Sequence, residues 1–164
     1  MNKSYESDIR VEGDTVVKTY RPVYLKMNKD FDRHGEQYWY SRLRSDFFLA
    51  PLQIEENFIV LPRCRRSLGT PYYPKFSMGA KKDIVNWLQA IHEELKRLEV
   101  CHHDIHPANI MLTKNGIKLI DLSWMTHNTE KKKLEPLMNL GYSTNDRRAL
   151  AKIQRQVFYG KNKF

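Results

Sequence analysis

The spacing of hydrophobic and polar positions changes several times along the chain, and each change predicts an element. Ser7–Arg10 and Thr15–Tyr20 read as strands around a turn at Glu12-Gly13-Asp14, with Val16, Val17 and Tyr20 as the β-favouring residues. Asp30 reads as an N-cap. The stretch FDRHGEQYWYSRLRS, residues 31–45, then reads as a helix with Phe31, Tyr38, Trp39 and Leu43 inward. Pro51–Ile54 and Phe58–Leu61 read as a hairpin around Glu55-Glu56-Asn57. Residues 62–78 are rich in Pro and Gly and read as a connector. The clearest helix follows over residues 80–98, where Ile84, Val85, Leu88, Ile91, Leu95 and Leu98 recur at helical spacing.

Beyond CHHDIHPAN, two short apolar runs, Ile110-Met111-Leu112 and Ile117–Ile120, flank Lys114-Asn115-Gly116. An Asn-Gly pair between apolar runs predicts a type I′ hairpin, because both central residues of that turn need positive φ. With Asn115-Gly116 as the loop, Ile110 is expected to face Asp121. Residues 122–143 read as mostly irregular, with a short helix near Leu134–Asn139. An amphipathic helix from Asp146 to Phe158 carries Leu150, Ile153 and Val157 on one face. This order predicts an α+β chain in two lobes: a small antiparallel sheet with one helix over 1–62, a hinge over 63–78, and a reduced helical lobe with a hairpin over 79–164.

At 164 residues and 41% hydrophobic content, the chain is large enough for a single core, so disorder throughout is excluded. The longest apolar run, Phe47–Leu52, is far short of the ~20 residues that span a bilayer. No apolar leader opens the sequence, and Cys64 and Cys101 are the only cysteines, which excludes a disulfide framework and a four-cysteine zinc site. The expected form is a cytoplasmic monomer. Charge adds one feature to this picture. The net charge is +9, and residues 131–164 hold nine basic residues against Glu135 and Asp146, so this tail contributes +7 of it. Such a field attracts polyanions.

The chemistry concentrates in HHDIHPANIMLTKNGIKLIDLSW, residues 102–124. The hairpin brings Asn109 and Asp121 to its open end. An amide oxygen beside a carboxylate is a hard-oxygen pair of the type that holds Mg²⁺ together with substrate phosphates. Asp104, five residues before Asn109, is placed to orient an attacking hydroxyl without being a metal ligand. Cys101, His102, His103 and His106 lack the second ligand pair that a zinc site requires.

His102-His103-Asp104 with Asn109 fits H-x-D-x-x-x-x-N, and Asp121-Leu122-Ser123 stands where D-F-G would follow. In these motifs the chain resembles the protein-kinase-like phosphotransferases. Its H-x-D-x-H-P-x-N style is similar to that of atypical members such as aminoglycoside, choline, lipopolysaccharide-core and RIO-like kinases. The resemblance implies a minimal bilobal kinase-like fold with Mg²⁺ as cofactor, transferring the γ-phosphate of ATP to a hydroxyl of a protein Ser/Thr, a sugar or another small molecule. It implies Asp104 as catalytic base and His106 near the γ-phosphate. Asn109 and Asp121 become metal ligands, and His102 braces the loop. Upstream, Val16-Val17-Lys18 resembles V-A-I-K, which implies Lys18 on the α- and β-phosphates, Glu36 as its partner, and Leu61–Arg63 as the hinge meeting adenine. Three departures stand out. No glycine precedes Gly13, Ser123 replaces the glycine of D-F-G, and no A-P-E follows. A second expectation, from a different class, is a catalytically weak binding module that holds a polyanionic or protein partner through the basic tail.

Overall fold

The strand bearing Lys18 lies at the middle of the larger sheet. In the computed structural model, which describes residues 2–3, 6–30, 32–69, 76–129 and 145–159, this sheet is antiparallel, in the order β1-β2-β3-β5-β4. Its strands are β1 (Asn2–Lys3), β2 (Ser7–Glu12), β3 (Thr15–Tyr20), β4 (Gln53–Ile54) and β5 (Phe58–Pro62). The Gly13-Asp14 turn sets the β2–β3 register, so that Ile9 faces Lys18 and Ser7 faces Tyr20. Gly13 takes φ 59°, a left-handed conformation that glycine adopts without a Cβ clash.

Between β3 and β4 lie two helices, where one was expected over 31–45. They are α1 (Pro22–Asp30) and α2 (Glu36–Arg42). Pro22 suits the first position of α1, since its missing N–H has no intrahelical acceptor there. Asp30 therefore closes a helix and does not cap the next one. Asp32, at φ 48°, and Gly35, extended at φ −75° and ψ 167°, then separate the two. Trp39 is buried as expected, and Tyr38 and Leu43 pack against the core partly buried. Phe31, the Leu134–Asn139 stretch and the lysines at 131–133, 161 and 163 lie outside the described residues.

The second half is organised by α3 (Met78–Arg97) and α4 (Asp146–Tyr159), which pack together. Ser77 caps α3 by accepting the Ala80 N–H at 3.2 Å, and Glu99, at φ 54°, turns the chain out of it. Ile84, Leu88, Ile91 and Leu95 point into the core, and from α4 Leu150, Ile153 and Val157 meet the same cluster. Short strands β6 (Val100–Cys101) and β9 (Thr126–His127) pair beside them. No helix among the described residues is long and apolar enough to cross a membrane.

The hairpin β7 (Ile110–Thr113) and β8 (Gly116–Leu119) forms where expected, but with a different turn. Leu112 faces Ile117 and Ile110 faces Leu119, a two-residue slip from the expected register. Lys114-Asn115 is the loop, and neither residue has positive φ; the positive φ, 112°, falls on Gly116. Thr113 accounts for the shift. Its Oγ1 accepts the Asn115 N–H at 3.2 Å and donates to Gly116 O at 2.9 Å, closing the turn one residue earlier. Both outer edges of the hairpin are covered. Leu119 N–H donates to Phe47 O at 2.7 Å, and Leu68 N–H donates to Ile110 O at 2.9 Å. The connector therefore docks on the hairpin through residues 66–69.

Candidate active site

Lys18 enters the interior because anions meet it there. Its Nζ lies 2.7 Å from Glu36 Oε2 and 2.8 Å from Asp121 Oδ1, and it donates to Ser123 Oγ at 3.2 Å. Burial alone would pull the Lys18 ammonium down. The Asp121 and Glu36 carboxylates outweigh it and hold Lys18 well above its ordinary value.

Glu36, in the first turn of α2, is completely buried and fully engaged. Oε2 accepts from Lys18 and from the Tyr20 hydroxyl at 2.9 Å and lies 3.1 Å from Ser123 Oγ, while Oε1 accepts the Leu122 N–H at 3.0 Å. Its own N–H donates to the Tyr24 hydroxyl at 3.0 Å. The unanticipated α1 thus supplies the side chain that seats the start of α2.

Asp121 lies just past β8 at φ 63°. Asn109 reaches the same end of the hairpin, its carbonyl accepting the Ile120 N–H at 3.0 Å. The two residues do share that end, but Asp121 sits two residues beyond the ladder and is not paired with Ile110. Burial would raise the Asp121 carboxyl; Lys18 and the Ser123 hydroxyl, at 2.7 Å, reverse this and hold it at about 2. Oδ1 takes both contacts. Oδ2 has no hydrogen-bond partner among the described residues, and the side chain is 34% exposed.

The loop from His102 to Asn109 is fixed from three sides. The His102 ring donates Nε2–H to Ile120 O at 3.1 Å and accepts the Asp104 N–H at Nδ1 at 3.3 Å, which requires the neutral Nε2–H form. The Asp146 carboxylate, in the first turn of α4, accepts the backbone N–H of His102 at 2.6 Å and that of His103 at 2.9 Å. It thereby holds His103 at φ 65°. On the third side, Gly69 packs on the 3₁₀ turn at Pro107–Asn109; a Cβ there would lie 2.9 Å from Ala108 Cα.

Within this frame Asn109 donates Nδ2–H to Asp104 Oδ2 and to Asp104 O, each at 3.0 Å. That commits the amide nitrogen and leaves Oδ1 as the atom a cation could use. His106 Nε2 lies 3.6 Å from Asp104 Oδ2, and Nδ1 accepts the Ala108 N–H at 3.3 Å. The Asp104 carboxylate raises the His106 ring above its ordinary value, against the opposing effect of burial.

The structure thus brings Lys18, Glu36 and Asp121 into direct contact, and Asp104, Asn109 and His106 into a second, linked set. The hinge positions fit less well. Arg63 N–H donates to Asp14 O at 2.8 Å, and the alternation of an antiparallel ladder turns Leu61, opposite Val16, toward β3 as well. Their backbone groups serve the sheet and are not presented to an adenine edge. Pro62 and Cys64 hold the alternate positions.

Four participants were not anticipated from the sequence. Glu6, just before β2, hydrogen-bonds Ser123. Burial first, then Asp121, raises its carboxyl to about 7. Ser123 had been noted only as a departure from glycine, yet it is fully buried among three carboxylates. Arg33 donates to Ser123 O at 2.8 Å and stacks on Trp124, 4.6 Å from the ring centre. Asp146 is the fourth. Only Asp146 carried a signal, as an acid opening an amphipathic helix.

Among the described residues, no group of three or more His, Cys, Asp or Glu side chains is arranged to hold a metal ion by itself. An Asn–Asp pair would depend on phosphate oxygens to complete its shell, as Mg²⁺ sites commonly do. The sequence matches none of the protein-family models and no curated protein.

Proposed function

We propose that this chain is an ATP- and Mg²⁺-dependent phosphotransferase of compact protein-kinase-like architecture, acting on a hydroxyl acceptor. One observation carries the reading: three separate parts of the chain, β3, α2 and the segment after β8, deliver Lys18, Glu36, Asp121 and Ser123 into one buried polar cluster, with Lys18 within 2.8 Å of both acids. An isolated buried ion pair is weak support for stability and costly to maintain, so such a cluster points to use. The central lysine strand, the glutamate helix beside it and the hairpin ending in Asp121 follow the order that the motifs call for.

Lys18, held in place by Glu36, would meet the α- and β-phosphates. Asp121 through Oδ2 and Asn109 through Oδ1 would hold Mg²⁺, which when bound neutralises phosphate charge and orients the transferring group. Asp104 would accept the acceptor hydroxyl proton. Its Oδ2 is already held by Asn109, so Oδ1 is the oxygen left to receive it. His106, next to Asp104 and half exposed, would place a donor beside the γ-phosphate. Asp146 and His102 keep the loop in shape and take no part in the transfer.

Calorimetric titration with ATP, with and without Mg²⁺, tests this. Mg²⁺-dependent binding that disappears in Asp121→Ala is expected. No binding at millimolar ATP would overturn the reading.

One observation favours the second reading. Arg147, Arg148 and Lys152 are exposed on α4, whose only acid, Asp146, is buried. A binding module would use that face for an anionic partner.

A further inference from the structure

We infer that Ser123 is a positioning residue that fixes which oxygen of Asp121 faces the metal. The inference rests on the reading of the site given above. Lys18 donates to Ser123 Oγ at 3.2 Å, so the one hydroxyl proton of Ser123 is free to go to an acid. Three carboxylates, Glu6, Glu36 and Asp121, surround that hydroxyl; Asp121 Oδ1 lies at 2.7 Å, against 3.1 Å for Glu36 Oε2, and Glu6 is held largely protonated, so the proton goes to Asp121. Oδ1 also accepts from Lys18 at 2.8 Å and is therefore saturated on the protein side. The carboxylate cannot rotate without giving up two charge-assisted hydrogen bonds, and Oδ2 is left as its solvent-facing oxygen.

Ser123 is itself held at its other end. Its carbonyl accepts from Arg33, whose guanidinium is buried against Trp124. The hydroxyl and carbonyl of one residue thus tie Asp121 to the segment before α2. A glycine here would supply neither the hydroxyl nor the same restriction of the backbone. The segment is built to stay in one arrangement. The geometry predicts monodentate metal binding by Asp121 and a loss of metal affinity when the hydroxyl is removed.

The test compares wild type with Ser123→Ala, using Mn²⁺ as probe. Free Mn²⁺ is followed by electron paramagnetic resonance with and without ATP, and ATP binding is measured separately without metal. Thermal melts confirm that both proteins are folded. The expected result is about tenfold weaker Mn²⁺ binding in the ATP-loaded variant, the usual size for losing a group that orients a metal ligand, with metal-free ATP binding unchanged. Ser123→Gly should lose at least as much, which guards against an effect peculiar to alanine. Equal Mn²⁺ affinity in wild type and Ser123→Ala would overturn the inference and leave the site reading standing. Wild type that binds no Mn²⁺ in the presence of millimolar ATP would overturn both. An equal loss of metal-free and metal-dependent ATP binding would make Ser123 merely structural, and would also overturn the inference.

Discussion

Glu6 provides a direct measure of how much negative charge the site concentrates. Its carboxyl titrates at about 7 instead of 4.5 because it is buried near Asp121 and Glu36, with Lys18 and the Ser123 hydroxyl only partly compensating. In the unfolded chain the same group ionises near 4.5. Between pH 4.5 and 7 the folded protein therefore binds more protons than the unfolded one, and stability falls as pH rises through that window. The ceiling is about 3 kcal/mol, from ~1.4 kcal/mol per pH unit of displacement. Glu6 keeps some contact with solvent, so an effect of about 1–2 kcal/mol is the reasonable expectation. Glu6→Gln removes the titration and keeps the shape. At pH 4, below the window, the two proteins should melt nearly together. At pH 8.5 the variant should melt higher by roughly 3–6 °C for a chain of this size. His106 is present in both proteins and its contribution largely cancels in the difference. Equal melting offsets at both pH values, or a less stable variant at pH 8.5, would refute the account of the cluster.

Three further outcomes follow from the frame around the site. Asp146→Ala leaves the buried N–H groups of His102 and His103 without their acceptor and should cost about 2–4 kcal/mol in denaturant unfolding, with faster hydrogen exchange at those two amides. Gly69→Ala puts a Cβ 2.9 Å from Ala108 Cα and 3.0 Å from its nitrogen, so the connector or the 107–109 turn must shift; a loss of about 1–3 kcal/mol is expected, and an unchanged midpoint would show that the contact yields freely. Replacing Arg147, Arg148 and Lys152 by Gln should leave stability within about 0.5 kcal/mol, since all three are exposed. The same change should abolish any salt-sensitive binding of a single-stranded oligonucleotide, measured by fluorescence anisotropy, and binding that persists would clear α4 of that role.

How much of this was legible in the sequence depended on whether the signal was local. Strands β2, β3 and β5 and helices α3 and α4 were readable because their apolar positions repeat within a few residues. So was the motif that puts Asp104 and Asn109 on one loop, five residues apart, with Asp121 just past the hairpin. Helix α1 was not, because PVYLKMNKD buries only Tyr24 and Asn28, too sparse a stripe to show as a period. Glu6, Arg33 and Ser123 were hidden for a different reason. Glu6 and Arg33 meet Ser123 from about 90 or more positions away, and no local pattern marks an arginine that will bind a distant carbonyl. The Lys18–Glu36 contact was anticipated only through the motif resemblance. Nothing in VVK or in a single helical Glu specifies it.

The hairpin shows why a wrong register still left Asn109 and Asp121 at the same end. Side chains alternate with a period of two along a strand, so the slip of two residues kept every inward position inward. It moved Asp121 off the ladder to a left-handed residue, where Lys18 and Ser123, and not a cross-strand neighbour, hold it. The turn and the site should therefore be separable. Gly116→Ala forces an alanine to φ 112° and brings its Cβ to 3.2 Å from the Trp87 ring, which should cost about 1–3 kcal/mol of stability. The Asp121 carboxyl, followed by NMR, should still titrate near 2 in that variant, because its partners come from β3 and from Ser123. If its titration instead moves up toward the ordinary aspartate range while the fold survives, the hairpin ladder positions Asp121 after all, and the primacy assigned to Lys18 and Ser123 is wrong.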